Sequence, residues 1–361
     1  IFDATHKHFI CIVTPDLAGI IRNGGIGTAC MELARTLSGR GHSVTVLFSQ
    51  VDALNHSRES LTHAKSLYQG WNINLVIAEE WLHELDWAGF FPQNSQLRMS
   101  RLAHEWLKNK QFDLVLFMDW QGTGFYPLSA RRAGIAQCQH GAMAVVCHSP
   151  TLWSDLGNSA RRRSPADALG YFIERRSIEM ADLVISPSHY LLDWMHKHGF
   201  KLPRRTRVQP NLLAMEEHNN PISATGNPIE EVVFFGRLEY RKGLVQFCAA
   251  IDRLVARGEA PSRVVFLGKM SFVGDEHAAV YLSRRIRGWP MPVEVFNRLG
   301  QPEALKLLVQ RNCLAVVPST EENSPYAVYE CLVAGIPVIA RDVGGIAELY
   351  APEYRDTHLF G

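Results

Sequence analysis

Two glutamates, Glu322 and Glu330, stand eight positions apart in EENSPYAVYECLVAGIPVIA, with Ser324-Pro325 between them. That spacing is too wide for the i,i+4 charge pairing of a helix surface. Ser324 suits an N-cap, Pro325 a first helical position and Gly335 a C-terminal cap, so the spacing predicts a helix from about Pro325 to Ala334. Glu322 then lies in the preceding loop. Glu330 lies inside the helix, roughly 7–8 Å along the axis from Pro325. A helix N-terminus attracts anions, and carboxylates accept from pairs of hydroxyls. A nucleotide sugar has the matching order of parts. With its diphosphate at the helix N-terminus, its sugar hydroxyls would fall beside Glu322 and its ribose diol beside Glu330. The plain reading of an isolated helix instead makes Glu322 a first-turn dipole residue and Glu330 a surface charge.

Two loops carry compatible chemistry. In FFGRLEYRKGL, Arg237 and Lys242 follow a strand that ends at Gly236, before a helix beginning near Gly243. Two cations there suit a diphosphate, arginine as a fork and lysine as a point charge. The alternative is a solvated basic loop. Lys242 sits in the loop, so little packing is expected to depend on it. In PDLAGIIRNGGIGTACMELA, Gly24, Gly25 and Gly27 precede a helix expected to start near Thr28. Such glycines let backbone N–H groups approach a phosphate, although a tight turn without ligand explains them equally well. The spacing is not G-x-G-x-x-G, and VTVLFSQ ends the second strand without an acidic residue. The dinucleotide fingerprint therefore fails.

The elements that must position these loops are short apolar runs alternating with helical patterns. HFICIVT (8–14), SVTVLF (43–48), INLVIA (73–78), DLVLFM (113–118), AVVCH (144–148) and DLVIS (182–186) read as strands buried on both faces. ACMELARTLSGRG reads as a helix closed by glycine. Residues 215–230, MEEHNNPISATGNPIE, are polar, rich in Asn and Pro, and without period, which predicts a linker between a domain of 1–214 and one of 231–361. The pattern restarts at EVVFFG (231–236), RVVFLG (263–268), VEVF (293–296), CLAVVP (313–318) and IPVIA (336–340). The fold class is α/β, with two Rossmann-like, doubly wound parallel sheets. In this architecture ligands bind in a cleft at the carboxyl ends of the strands.

Composition excludes several classes. The 361 residues exceed one ordinary core, and 47% apolar with 20% charged residues is a globular balance. A formal charge of +1 gives no global field to recruit nucleic acid or an anionic membrane. Seven scattered cysteines without a C-x-x-C pair read as free thiols of a reducing cytoplasm. No run approaches the ~20 apolar residues of a membrane span. The first residue is Ile, so the expectation is a piece of a longer protein. Arg131-Arg132, Arg161-Arg162-Arg163 and Arg175-Arg176 read as solvated helix faces, or as contacts for a phosphate-bearing or membrane-linked acceptor. Trp120 and Trp153 are candidates for stacking on a sugar. His196 and His198 lack a third ligand, and no metal site is expected.

Together these stretches resemble retaining GT-B glycosyltransferases of family 4. Glu322 to Glu330, followed by AGIPVIARDVGGIAEL, is similar to the family's E-x7-E donor site. GRLEYRKG is similar to its G-R-L-x-x-x-K-G loop, and NGGIGTACMELARTLSGRGHSVTVL to its N-terminal glycine loop. AVVCHSP resembles the strand ending in a cleft histidine, His148. DLVLFMDWQGTG resembles the acidic strand end, Asp119, with Trp120 beside it on the acceptor side, and VQPN (208–211) resembles the turn closing the first domain. The resemblance runs in the family's order from about residue 8 to 349.

It implies that Arg237 and Lys242 neutralise the diphosphate leaving group, with Gly25 against the same phosphates. Glu322 would hold donor sugar hydroxyls, Glu330 the ribose, and His148 the sugar or reacting face. Arg298 and Leu299 would flank the base. No metal or cofactor would be needed. UDP-sugars are the first expectation as donor and GDP-sugars the second, with a glycan, lipid-linked or small-molecule hydroxyl as acceptor and peripheral membrane contact possible in a cytoplasmic enzyme. Where the family has a Gly-aromatic-Gly run, this chain has Asn323-Ser324-Pro325. Pro325 offers no N–H, so those contacts would fall to Asn323, Ser324, Tyr326 and Ala327. The family's last helices have no counterpart after LFG. Two rivals remain at this point: a nucleotide-sugar epimerase of the same fold, and a non-catalytic glycan- or nucleotide-binding module.

Overall fold

The computed structural model describes residues 6–20, 25–50, 58–81, 94–135, 140–160, 164–213 and 229–361. Most of the expected linker, and Gly24, fall outside them. The chain divides into two units, one of Ile1–Ser154 with Arg162–Leu212 and one of Asp155–Arg161 with Leu213–Gly361.

The first unit is built on β1 (Phe9–Thr14), β2 (Ser43–Phe48), β3 (Ile73–Ile77), β4 (Leu114–Met118), β5 (Ala142–Val146), β6 (Leu183–Ser186) and β7 (Thr206–Val208). All pair in parallel, in the order β3-β2-β1-β4-β5-β6-β7. The helices are α1 (Gly25–Gly39), α2 (Arg58–Gly70), α3 (Ser95–Leu107), α4 (Phe125–Arg132), α5 (Thr151–Gly157), whose residues from Asp155 on fall in the second unit, α6 (Pro165–Met180) and α7 (His189–Lys197). Alternation along the central strands feeds two cores. In β4, Val115 and Phe117 join one face while Leu116 and Met118 join the other. This explains the unbroken apolar runs. The strand order reverses between β1 and β4, so the loops after β1, β4 and β5 gather at one switch point.

The second unit repeats the plan with β8 (Glu231–Phe235), β9 (Arg263–Leu267), a hairpin of β10 (Phe272–Val273) and β11 (Glu276–His277), then β12 (Val293–Phe296), β13 (Cys313–Val317), β14 (Val338–Arg341) and β15 (Leu359–Phe360). Its parallel sheet runs β12-β9-β8-β13-β14-β15, and the order reverses between β8 and β13. Its helices are α8 (Leu244–Ala256), α9 (Ala278–Arg285), α10 (Gln301–Val309), α11 (Tyr326–Ala334) and α12 (Pro352–His358).

Three boundaries differ from expectation. α1 begins at Gly25 rather than Thr28. β5 ends at Val146, so His148 lies two residues past the strand in a loop. α11 starts at Tyr326, with Pro325 in extended backbone (φ −75°, ψ 122°) at the N-cap position. Ser324 does not cap it; its hydroxyl lies 3.1 Å from Tyr329 Oη instead. Gly335 ends the helix in the left-handed region (φ 68°), as expected.

Candidate functional site

In the second unit the loops after β8 and β13 are knitted together by charge. Gly243 enters α8 at φ 79°, where a Cβ would lie 1.9 Å from the Pro318 carbonyl oxygen. Only glycine lets these two loops approach so closely. Thr320 then donates its N–H to the Arg241 carbonyl at 2.7 Å. Glu322, 4% exposed, forms an ion pair with Lys242, accepts from Ser319 Oγ at 2.8 Å and lies 3.5 Å from Arg241 Nη1. Arg241 is itself buried. Its guanidinium reaches Glu239 Oε1 at 3.0 Å and the Glu321 carbonyl at 3.1 Å. Arg237, half-exposed, pairs with Glu239 at 3.1 Å.

The protonation states follow from burial and partners. Burial alone would raise the Glu322 carboxyl, but Lys242, Arg241 and the Ser319 bond outweigh it and hold it below the ordinary glutamate range. Burial, helped by Arg241 and Arg237, pulls Lys242 below the usual lysine range, against the opposing pull of Glu322. Lys242 is therefore not a lightly packed loop residue, contrary to expectation. It is one half of a buried pair.

Glu330 lies on the buried side of α11, and burial raises its carboxyl to about 7, opposed by the hydrogen bond from Gln301. Gln301, the first residue of α10, donates to it at 2.5 Å. Arg298 is exposed, and Leu299 packs partly against the core beside α10. Asn323 and Ser324 are buried; Tyr326 and Ala327 are half-buried at the start of α11.

In the first unit the switch point is also polar. Asp119 is fully buried after β4, its carboxylate accepting the N–H groups of His148 at 3.0 Å and Ser149 at 3.1 Å. Burial pushes Asp119 up to about 7, against these bonds, and holds His148 down at about 4. Trp120 is half-buried in the next turn. At the glycine loop, the Gly27 N–H donates to Asp16 Oδ2 at 3.2 Å, so a carboxylate from this unit stands at the N-terminus of α1, near Gly25.

Several basic clusters resolve into internal bonds. Arg131 pairs with Asp182 at 3.0 Å, Arg132 donates to the Met180 carbonyl at 2.9 Å, and Arg175 and Arg176 both pair with Glu179. Arg161-Arg162-Arg163 lies outside the described residues. Trp153 is buried, with its indole N–H donated to Tyr190 Oη at 3.0 Å, a core position rather than a sugar platform. No helix among the described residues is long and apolar enough to cross a membrane.

Sequence reasoning passed over Arg241, Ser319, Gln301 and Glu174. Glu174 carried a legible signal. It sits among Gly170, Ile173, Ser177 and Ile178, on the face of α6 that is buried.

Two doubly wound, parallel units in one chain define a GT-B-type glycosyltransferase fold. The structure aligns with a sucrose-phosphate synthase from Thermosynechococcus elongatus (TM-score 0.65, 17% identity, 96% of this chain and 84% of that one). It also aligns with the catalytic domain of starch synthase IV from Arabidopsis thaliana bound to ADP and acarbose (TM-score 0.61, 16% identity, 98% and 86%). Residues 23–216 match the model of Glycosyltransferase Family 4 and residues 230–360 that of Glycosyl transferases group 1. The chain belongs to glycosyltransferase family 4. A Bacillus subtilis glycosyltransferase named for teichuronic acid biosynthesis is 30% identical over 194 residues, 51% of this chain but only 44% of that relative. A Methanocaldococcus jannaschii glycosyltransferase is 23% identical over 354 residues, 93% of this chain and 81% of that one.

Proposed function

We propose that this glycosyltransferase moves a sugar from a nucleotide-diphosphate donor to a hydroxyl of a glycan, lipid-linked or small-molecule acceptor, with retention of configuration and without a metal. The observation that carries this reading is the cation cluster of Arg237, Arg241 and Lys242 at the switch point of the second unit, with Glu322 beside it and Glu330 on α11. Arg237 and Lys242 take the diphosphate and neutralise it as the glycosyl bond breaks. Glu322 accepts from the sugar hydroxyls, and Glu330 accepts from the ribose in place of Gln301. Arg298, Leu299, Asn323, Ser324, Tyr326 and Ala327 complete the donor surface. On the same reading His148 serves the sugar, Asp119 and Trp120 the acceptor side, and Gly25 the phosphates. UDP-sugars are the first choice of donor and GDP-sugars the second, and the cytoplasm is the proposed compartment.

Calorimetric titration with UDP and GDP, followed by incubation of UDP- and GDP-sugars with EDTA present, tests this reading. Nucleotide binding and chelator-resistant turnover are expected. Loss of turnover with EDTA, restored by manganese or magnesium, would overturn the metal-free part. A new nucleotide sugar formed without acceptor would convert the reading to an epimerase.

A further inference from the structure

The loop that carries His148 is held at two points by buried carboxylates from outside it. Asp119 takes the His148 and Ser149 N–H groups. Two residues on, Thr151 gives both of its donors to Glu174: the N–H to Oε2 at 2.7 Å and the hydroxyl to Oε1 at 2.6 Å. Glu174 Oε1 also accepts the Gln121 N–H at 2.9 Å. That third bond ties the same carboxylate to the turn just after Asp119.

This turn is pressed close to α6. Gln121 is left-handed at φ 67°, and a Cβ on Gly122 would lie 2.8 Å from Ile173 Cγ1 and 3.1 Å from the Glu174 nitrogen. The turn cannot drift from Glu174 without losing both the packing and the bond. A carboxyl group 1% exposed in mid-helix is costly to ionise, and burial raises Glu174 to about 8 against the Thr151 and Gln121 bonds. An apolar side chain of equal size would avoid that cost. It would also leave the Gln121 and Thr151 N–H groups without their acceptor.

We propose that Glu174 is a positioning residue for His148, fixing the 148–151 loop through Thr151 and Gln121 and so setting the direction in which the imidazole is presented. This rests on the reading of His148 as the group that faces the donated sugar. Glu174 touches no reacting atom. Its effect is transmitted along three residues of backbone to His148.

Glu174→Gln tests this with no change of size. An amide has a single acceptor oxygen, so whichever way it turns, its NH2 faces either the Gln121 or the Thr151 N–H. One backbone bond is lost in each orientation. Thr151→Val is the gentler companion, losing only the hydroxyl bond and serving if Glu174→Gln folds poorly. The first readout is the 15N-imidazole NMR signal of His148, assigned by its disappearance in His148→Gln and followed through pH. Both variants should shift this signal. Glu174→Gln should also raise its midpoint from about 4 as the loosened loop admits water to the ring.

The second readout is nucleotide release from UDP-glucose and GDP-mannose. Glu174→Gln should lower kcat by up to about 100-fold with KM nearly unchanged. Combined with His148→Ala it should add little, because both changes remove one function. An unshifted His148 signal in both variants would overturn the inference, whatever the thermal stability. Rate losses that multiply in the double variant would overturn it too. If His148→Ala kept full turnover, the reading of His148 would fall, and the NMR signal alone would decide whether Glu174 sets its position.

Discussion

Replacing Lys242 by methionine keeps the side-chain stem but removes a cation from a buried pair. Glu322 would retain Arg241 at 3.5 Å and Ser319 at 2.8 Å, but lose its direct partner. Removing one member of a buried pair costs ~3–5 kcal/mol, and the surviving partners place this case near the lower end, ~3 kcal/mol. In a scanning calorimeter that is a fall of about 6–12 °C in the transition of the affected unit. Turnover should drop further, because a charge-assisted contact to the leaving phosphate contributes ~2–4 kcal/mol, roughly 30- to 1,000-fold.

The stability penalty should depend on pH in one direction. Glu322 is held below the ordinary value of 4.5, so its contribution is fully present above 4.5 and lost as pH falls through the folded value. The Lys242→Met penalty should therefore be largest at neutral pH and shrink in acid. Adding Glu322→Gln removes both charges and should recover most of the stability while leaving turnover low. A Lys242→Met protein with wild-type stability at pH 7 and wild-type turnover would refute the reasoning.

Glu322→Gln alone should lower kcat, since a carboxylate there meets positive charge only as the glycosyl bond opens, and calorimetry should find UDP affinity equal or tighter because Lys242 is released. Glu330→Gln should instead raise KM and the UDP dissociation constant by roughly tenfold or more with kcat little changed. Glu330 is raised from 4.5 to about 7, so its stabilising effect is complete below 4.5 and lost as pH rises through about 7. Urea unfolding of Glu330→Gln should show that decline flattened. Gly344→Ala places a Cβ 1.9 Å from the Glu322 carbonyl oxygen at φ 59°, and should destabilise by at least ~2 kcal/mol with a loss of kcat as the Glu322 loop moves.

How much of this was legible depended on how local the cause was. Continuous apolar runs located β1, β9 and β13 to within a residue, because burial on both faces leaves an unbroken pattern. The run AVVCH misled at its end. Cys147 is buried without being in the strand, so apolar character continued past β5 and His148 fell in a loop. β7 and β15 are three and two residues long, too short to leave a pattern. At the site, residue types suggested Arg237, Lys242, Glu322 and Glu330, but not their partners. The contact between Lys242 and Glu322 spans 80 residues, and that from Gln121 to Glu174 spans 53. Local spacing carries no record of either.

Those partners change the chemistry more than they change the fold. Arg237, Arg241 and Lys242 face Glu239 and Glu322, so the resting cluster has a single net positive charge. A nucleotide-sugar diphosphate carries one negative charge on each phosphate, more than that cluster balances. Where Lys242 turns its donors from Glu322 to the phosphates, the resting pair opens. Glu322 then keeps Arg241 at 3.5 Å and Ser319 at 2.8 Å but loses its direct partner, and hydroxyls of the sugar are donors that can replace it. Donor binding on this reading is an exchange of partners. The step that frees Lys242 for the leaving group is the same one that turns Glu322 toward the sugar, so a ligand with phosphates but no sugar should leave Glu322 poorly satisfied and bind less tightly than the whole donor.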